Sequence, residues 1–524
     1  MEWTVLIGIG LQNIFFFILT AIYSVVYYKK PRSIPPIKNP LLQLSATSVA
    51  KKIREGEITS QAVVEAYIAR IKDVNPFLNG LVDDRFEEAL NEAKECDKKL
   101  QAEEVDPLTL EKEKPLYGVP ITVKESCCLK GMSYTGCCLT RKGIKAGEDG
   151  VAVLSMKKAG AIPLGVTNTP EMCAAINTGN FVYGDTHNPF DRRYSAGGSS
   201  GGEGALISAA ASVLGIGSDI AGSIRIPAHF NGIFGHKPTA GVVSIKGHLP
   251  SQDSGSFADL LLLGPMARYA EDLHLALKVM TSTSNSNVNL RLDEPVDIKK
   301  LKVYYYYNVE SIFKFKGPTA DVKQCIKEAA NYLEDLGAEV EQLPDEWFND
   351  ILCRVIATFF TDGMMPPLLL YSDDLKLERK PGTELLKSIV GMSQYSKTLI
   401  YTKLLLELEG LIPKSKQPYY RNVMMELGKK FNELLKENAI FLYPTFPCAS
   451  TFNDLIQLRI DDSMYCLLAN IFHLPATHVP MGLNKDGLPV GLQVISGAYQ
   501  DRICLEVAKE LEKAFGGWIP PPSD

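Results

Sequence analysis

Apolar and polar positions along this chain change period several times, and each change marks an element. The first apolar block runs from Val5 to Tyr28, 24 residues broken only by Gln12, Asn13 and a few small polar residues. As a helix rising 1.5 Å per residue it is long enough to cross a hydrocarbon core of roughly 30 Å. Farther on, Val63, Val64, Tyr67, Ile68 and Ile71 share one helical stripe, capped at Thr59 or Ser60 and ended by Asn75-Pro76. Arg85 to Leu100 reads as another helix, polar on its outside. Strand signals fall at 120–123, 161–166, 216–220, 302–307, 439–443 and 490–495, with helical stretches between most of them. This alternation is that of an α/β protein. From 351 to 412 the chain turns greasy, with Phe359-Phe360, Met364-Met365, Leu368 to Leu370 and Leu404 to Leu406. That stretch is either an ordinary helical core or an amphipathic cap that dips into a bilayer and guides an acyl chain.

Two serines set among glycines carry the chemistry. Ser199 stands in Gly197-Gly-Ser-Ser-Gly-Gly202 and Ser223 in Asp219-Ile-Ala-Gly-Ser-Ile-Arg225. Glycine lets the backbone approach a ligand closely, which suits an exposed nucleophile better than a core residue. Between them, 203–214 reads as a buried Ala-rich helix stopped by Gly215, and 216–220 as a short strand. Twelve helical residues climb roughly 18 Å and five or six extended ones return roughly 16 to 20 Å. If the two run antiparallel, both serines meet in one site.

Lys124 ends the run Tyr117-Gly-Val-Pro-Ile-Thr-Val-Lys124, which leads it into the interior. Burial disfavours the ammonium form of a lysine, and a neutral lysine is a base. Such a base could take the proton of Ser223 through the hydroxyl of Ser199, in place of the histidine of a conventional triad. The oxyanion would be held by backbone N–H groups of the turn Ile220-Ala221-Gly222-Ser223.

Three other readings compete. A flexible linker would not be followed by an unbroken apolar helix and strand. A phosphate cradle needs a Gly-Lys-Ser/Thr ending or a dinucleotide spacing, and neither is present. The pattern Gly-x-Ser-x-Gly from Gly197 to Gly201 also fits an α/β-hydrolase nucleophile elbow, which would need an acid and one of His229, His236, His248, His274, His473 or His478.

With Lys124, Ser199 and Ser223 at these positions, the chain resembles the amidase signature family from about Leu44 to Trp518. The resemblance includes Gly235-His-Lys-Pro-Thr239, Gly264-Pro-Met-Ala-Arg268 and Gly487-Leu-Pro-Val-Gly-Leu-Gln493. Within that family it is most similar to the membrane-associated fatty-acid amide hydrolases, particularly the second type. The resemblance implies a large twisted mixed β-sheet covered by helices on both faces. It implies Lys124 as base, Ser199 as a bridging serine in a cis peptide, Ser223 as nucleophile and Ile220 to Gly222 as the oxyanion hole. It places Cys173 on the substrate pocket. Asp219 and Arg225 flank the turn, either as braces or as an exposed ion pair. In one departure, Ala221 stands where the family turn usually has glycine; if it took φ > 0, its methyl would cost on the order of 1 kcal/mol.

Composition changes this picture little. A chain of 524 residues with 46% apolar content can bury a large core, and a net charge of −6 without a basic stripe predicts no nucleic-acid partner. The 11 cysteines, including Cys127-Cys128 and Cys137-Cys138, lack zinc-site spacing and read as reduced packing residues.

The apolar N-terminal block has only Glu2 before it, and Lys29, Lys30 and Arg32 close it. It therefore reads as a retained single-pass transmembrane helix, with a Pro-rich linker from Pro31 to Pro40. The expected division is residues 1–35 as anchor and linker and 36–524 as catalytic domain. The expected protein is a membrane-anchored serine amidase without metal or organic cofactor. It would cleave long-chain fatty-acid amides at the endoplasmic reticulum or another endomembrane, its catalytic body in the cytosol. Its partners would be the lipid amide and the membrane, with a homodimer left open. The alternatives are a glutamine-hydrolysing subunit of a tRNA amidotransferase, an esterase of the α/β-hydrolase type and a non-catalytic scaffold.

Overall fold

The computed structural model describes residues 3–28, 33–102, 104–251, 255–282, 288–309, 317–360, 365–371, 374, 377–408 and 412–523. Glu2, Lys29, Lys30, Pro31, Arg32 and Met364 lie outside the described residues. Eleven strands make one sheet: β1 (Leu81–Asp84), β2 (Pro120–Lys124), β3 (Ile162–Thr167), β4 (Leu214–Asp219), β5 (Phe234–Lys237), β6 (Leu262–Ala267), β7 (Lys302–Tyr305), β8 (Glu339–Gln342), β9 (Ala439–Pro444), β10 (Ala476–Leu483) and β11 (Pro489–Ser496). Their spatial order is β1-β3-β2-β4-β6-β5-β10-β11-β9-β7-β8. The sheet is mixed, with β2 parallel to β3 and β4, and β4 antiparallel to β6. Every residue of β2, β3, β4, β6, β9 and β11 is buried. Successive side chains of a strand point to opposite faces, so both faces of the sheet are covered. Exposed positions fall on the edge strands β1 and β8 and at single terminal residues, Lys302 of β7 and Leu483 of β10.

The structure moves several expected boundaries. The helix expected over 203–214 is Gly201–Ser208, and Leu214 and Gly215 already belong to β4. Ala210, at φ 56°, turns the chain out of the helix, with the Ala211 N–H donating to the Leu206 carbonyl at 2.8 Å. Gly215 therefore stops nothing. It makes room instead: a Cβ there would lie 2.1 Å from Glu203 Oε2. The helix starting at Ser60 is capped by the Thr59 side chain and runs through Pro76 to Leu78, where Asn79 takes φ 52°. Strands β1, β5, β6, β8 and β10 had no predicted counterpart.

The N-terminal block forms helix α1 (Trp3–Val26), but the transmembrane expectation is corrected. Among the described residues no helix is long and apolar enough to cross a membrane. One face of α1 is instead taken up by the body of the protein. Gln12 Nε2 donates to Asp461 Oδ1 at 3.0 Å, and the Arg459 guanidinium lies 5.4 Å from the Phe16 ring centroid. Tyr23 and Tyr27 pack on Phe452, with ring centroids 5.8 and 5.9 Å away. A helix surrounded by lipid would strand the Gln12 amide in hydrocarbon. The described part of the Pro-rich linker is also held down: Ile34 bridges Ser523, and Arg70 Nη1 donates to the Pro35 and Pro36 carbonyls at 2.8 and 3.1 Å.

Candidate active site

Parallel pairing of β2 and β4 brings the functional residues together at the carboxyl ends of adjacent strands. Lys124 is the last residue of β2 and has no exposed surface. Its Nζ donates to Ser199 Oγ at 2.6 Å and to Ser218 Oγ at 2.9 Å. Ser199 is fully buried beside the start of the helix Gly201–Ser208, and the Gly198–Ser199 peptide is cis, as the resemblance implies. The Ser200 N–H donates to the Ser223 carbonyl at 3.1 Å, which ties the two glycine-rich segments into one site.

The turn after β4 is built around a buried ion pair. Asp219 and Arg225 are both fully buried, 2.9 Å apart, so bracing holds and an exposed pair does not. Arg225 Nε and Nη2 grip the two carboxylate oxygens, while Nη1 donates to the Cys466 carbonyl and to Gln493 Oε1. Burial pushes the Asp219 carboxyl up, but the Arg225 guanidinium and the Gly222 N–H outweigh it and hold it far below the usual carboxylate range. The left-handed backbone of this turn falls on Gly222, at φ 103°, and not on Ala221. A Cβ at Gly222 would meet Cys466 Cβ at 2.7 Å, whereas the Ala221 methyl packs against the core. The Gly222 N–H donates to Asp219 Oδ1 at 2.9 Å, so it is already engaged. Among the described residues no acceptor is found for the N–H groups of Ile220, Ala221 and Ser223.

Ser223 is 8% exposed and opens onto a cavity of about 220 Å³. Ile220, Ala221 and Cys173 share that wall, and Leu352, Val355, Phe359 and Leu405 line it farther out. The greasy stretch after Ile351 is thus a cap over the cavity, and Leu386, Ile389 and Met392 remain exposed on its outer side. Ser199 does not reach the cavity wall. Burial pushes the Cys173 thiol up, but the nearby Lys124 charge outweighs it and draws it down to about 5.

Ser218 is a site residue that sequence reasoning missed, and His248, named there only as a partner for the elbow, sits beside it. His248 Nδ1 lies 2.8 Å from the Pro250 carbonyl, which can only accept, so Nδ1 carries the proton. Nε2 is then an acceptor for the Ser218 hydroxyl at 2.9 Å, and Ser218 accepts in turn from Lys124. No local pattern marks His248, and only the β2–β4 pairing could have pointed to Ser218. The other five candidate histidines have no hydrogen bond to Ser199 or Ser223. His236 faces Thr477 and Asp501, and His229 faces the Cys448 carbonyl. Among the described residues, an elbow built on Ser199 therefore has no histidine hydrogen-bonded to it.

Glu203 is fully buried and accepts from Thr122 at 2.5 Å and Thr167 at 3.0 Å. Burial pushes its carboxyl up to about 8, against those hydrogen bonds and the Lys124 charge. In the unfolded chain the group ionises near the usual value of about 4.3. Below that pH both states keep the proton. Between about 4 and 8 only the unfolded chain releases it, so stability falls as pH rises. Glu203→Gln is expected to flatten this part of the Tm–pH curve, raising Tm over the parent more at about pH 8 than at about pH 5.

A mixed eleven-stranded sheet carrying a lysine and two serines in this arrangement is an amidase fold, and the chain belongs to the amidase signature family, whose amidase pattern matches residues 62–505. It is an amide hydrolase, acting on carbon–nitrogen bonds. It is similar to fatty-acid amide hydrolase 2 of Homo sapiens, 40% identical over 501 residues that cover 94% of this chain and 92% of the relative. A glutamyl-tRNA(Gln) amidotransferase component of Prochlorococcus marinus is 29% identical over 489 residues, covering 88% of this chain and 96% of that relative. A solved fatty acid amide hydrolase structure superposes with a TM-score of 0.74 at 22% identity, over 96% of this chain and 89% of that one.

Proposed function

We propose that the chain hydrolyses long-chain fatty-acid amides, such as N-acylethanolamines and primary fatty amides, to a free fatty acid and an amine. The observation that carries this reading is the position of Ser223 on the wall of a cavity lined mainly by aliphatic and aromatic side chains. In the proposed relay Lys124 is the base, Ser199 the proton bridge and Ser223 the nucleophile. The Ser223 proton passes to Ser199 Oγ as the Ser199 proton passes to Lys124 Nζ, and Ser223 Oγ attacks the amide carbonyl. The N–H groups of Ile220, Ala221 and Ser223 take the developing oxyanion. The proton returns through Ser199 to the leaving amine, and water then releases the acid by the same route.

We also propose a catalytic body, residues 36–524, that associates with the cytosolic face of the endoplasmic reticulum or another endomembrane through the first 35 residues. Ile7, Leu11, Phe15, Ile18, Ile22 and Val25 are spaced at three or four residues and are each about half exposed or more. They form one apolar stripe facing away from the body, which suits a helix lying in the membrane interface.

The test is a fluorophosphonate probe followed by site mapping, with oleamide and glutamine as paired substrates. Ser223 should carry the adduct, and Ser223→Ala should lose both labelling and oleamide hydrolysis while keeping its unfolding transition. Labelling at Ser199 would return the elbow reading. Glutamine turnover with inert oleamide would favour the amidotransferase alternative.

A further inference from the structure

We infer that α1 is a wall of the acyl-chain cavity and sets which chain lengths the enzyme accepts. This rests on reading the cavity as a fatty-acyl site. Val5, Gly8 and Gln12 of α1 line the same cavity as Ser223. They lie on one helical face, since residues three and four apart stack over one another. From Val5 to Gln12 that face covers about 10 Å of cavity length.

The contact is anchored at several levels. Val5 is 3% exposed and packs with Cys353, Ala357, Ile412 and Tyr420 of the cap region. Gln12 donates to Asp461 Oδ1 and to the Leu458 carbonyl, and Asp461 itself lines the cavity. At the far end, Arg193 Nη1 donates to the Tyr27 carbonyl at 3.0 Å. Arg193 Nε and Nη2 hold Asp191 by its Oδ1 and Oδ2, so this clamp belongs to the body and not to the helix. Between the two ends, the stripe Phe16, Tyr23 and Tyr27 continues the inner face.

Gly8 is the sensitive position. It lines the cavity in the second turn of α1 between the larger Val5 and Gln12, so added bulk there thickens this wall. The segment expected to be a separable anchor is thus part of the substrate site, and removing it would open a mostly apolar cavity to water.

The experiment uses the full-length chain in detergent micelles, with butanamide, octanamide, palmitamide and oleamide as a length series. Gly8→Phe should lower the ratio of palmitamide to butanamide kcat/KM by about tenfold or more, the scale of discrimination that small changes in an apolar pocket produce. Gly8→Leu should give a smaller shift in the same direction. Leu11→Phe puts the same ring on the exposed face of the helix and should keep the parent ratio. Fluorophosphonate labelling of Ser223 is followed in each variant. Labelled Gly8→Phe and Gly8→Leu enzymes with the parent length profile overturn the inference, as does an equal shift in Leu11→Phe. Uniform loss at all lengths in both Gly8 variants, with labelling gone, also counts against it, because a wall acts on length and not on the nucleophile. A parent enzyme that shows no preference for long chains would sink the fatty-acyl reading itself, and that result is visible before any variant is made.

Discussion

Replacing Lys124 by alanine is expected to slow acylation of Ser223 on the order of 10⁴-fold or more, the scale seen when one member of a catalytic relay is removed. Lys124 Nζ is the donor found on Ser199 Oγ, and Ser199 is too deeply buried for water to take over without rearrangement. Both the nucleophile and the leaving amine lose their proton carrier, while the backbone donors of the turn and the cavity walls remain. The loss should therefore fall on kcat, with KM for a long-chain amide changing far less. Single-turnover acylation of the Lys124→Ala enzyme measures this directly. The same measurement on His229, His236, His274, His473 and His478 variants that keep their fold should show near-parent acylation. Near-normal acylation without Lys124, or a comparable loss at one of those five histidines, would show that the relay is wrong. His248 stands apart from that set, because Ser218 connects it to Lys124.

The second large effect is on stability. Arg225→Met should cost about 3 to 5 kcal/mol, because breaking a buried pair leaves one charge uncompensated. Asp219 keeps its N–H donors from Gly222 and Ile224 but loses the guanidinium, and the Cys466 carbonyl and the Gln493 and Asn470 side-chain oxygens lose a donor as well. A depressed carboxylate stabilises the fold above its unfolded ionisation range and loses that contribution as pH falls. Without Arg225 that contribution shrinks, so the deficit against the parent should narrow as pH falls below about 4. Urea unfolding of both proteins across that range measures it. A deficit that is small and flat with pH would mean that the pair contributes little net stability.

What the sequence made legible follows from how much of each signal is local. Lys124 at the end of an apolar run and two serines in glycine-rich segments are written in consecutive residues, and the fold places all three where one site can form. The short strands were harder to read. In Phe234–Lys237 and Leu262–Ala267 glycine, proline, histidine and lysine interrupt the apolar pattern, and burial on both faces erases the alternation that marks a half-exposed strand. Gln493 shows the same limit: its role is to receive Arg225, a partner 268 positions away. α1 was legible as a helix and misread as a span, because hydropathy records how apolar a segment is and not whether protein or lipid covers it. The spacing of Gln12, Tyr23 and Tyr27 on one face was the available sign.

The glycines around Ser199 separate what selection can change from what it cannot. A Cβ on Gly198 would sit 2.4 Å from the Asn177 carbonyl oxygen, one on Gly201 2.4 Å from Thr178 Oγ1, and one on Gly202 2.5 Å from the Asn168 nitrogen. Two of these three neighbours are backbone atoms, which cannot rotate out of the way. A segment whose composition suggests a limp tether is therefore closed to almost every substitution. The cavity, by contrast, is bounded by ordinary side chains from α1, the cap and the segment around Cys173, and each of these can be exchanged singly. A lineage built on this scaffold can drift from one amide to another by altering its walls, while the chemistry stays frozen by simple lack of room.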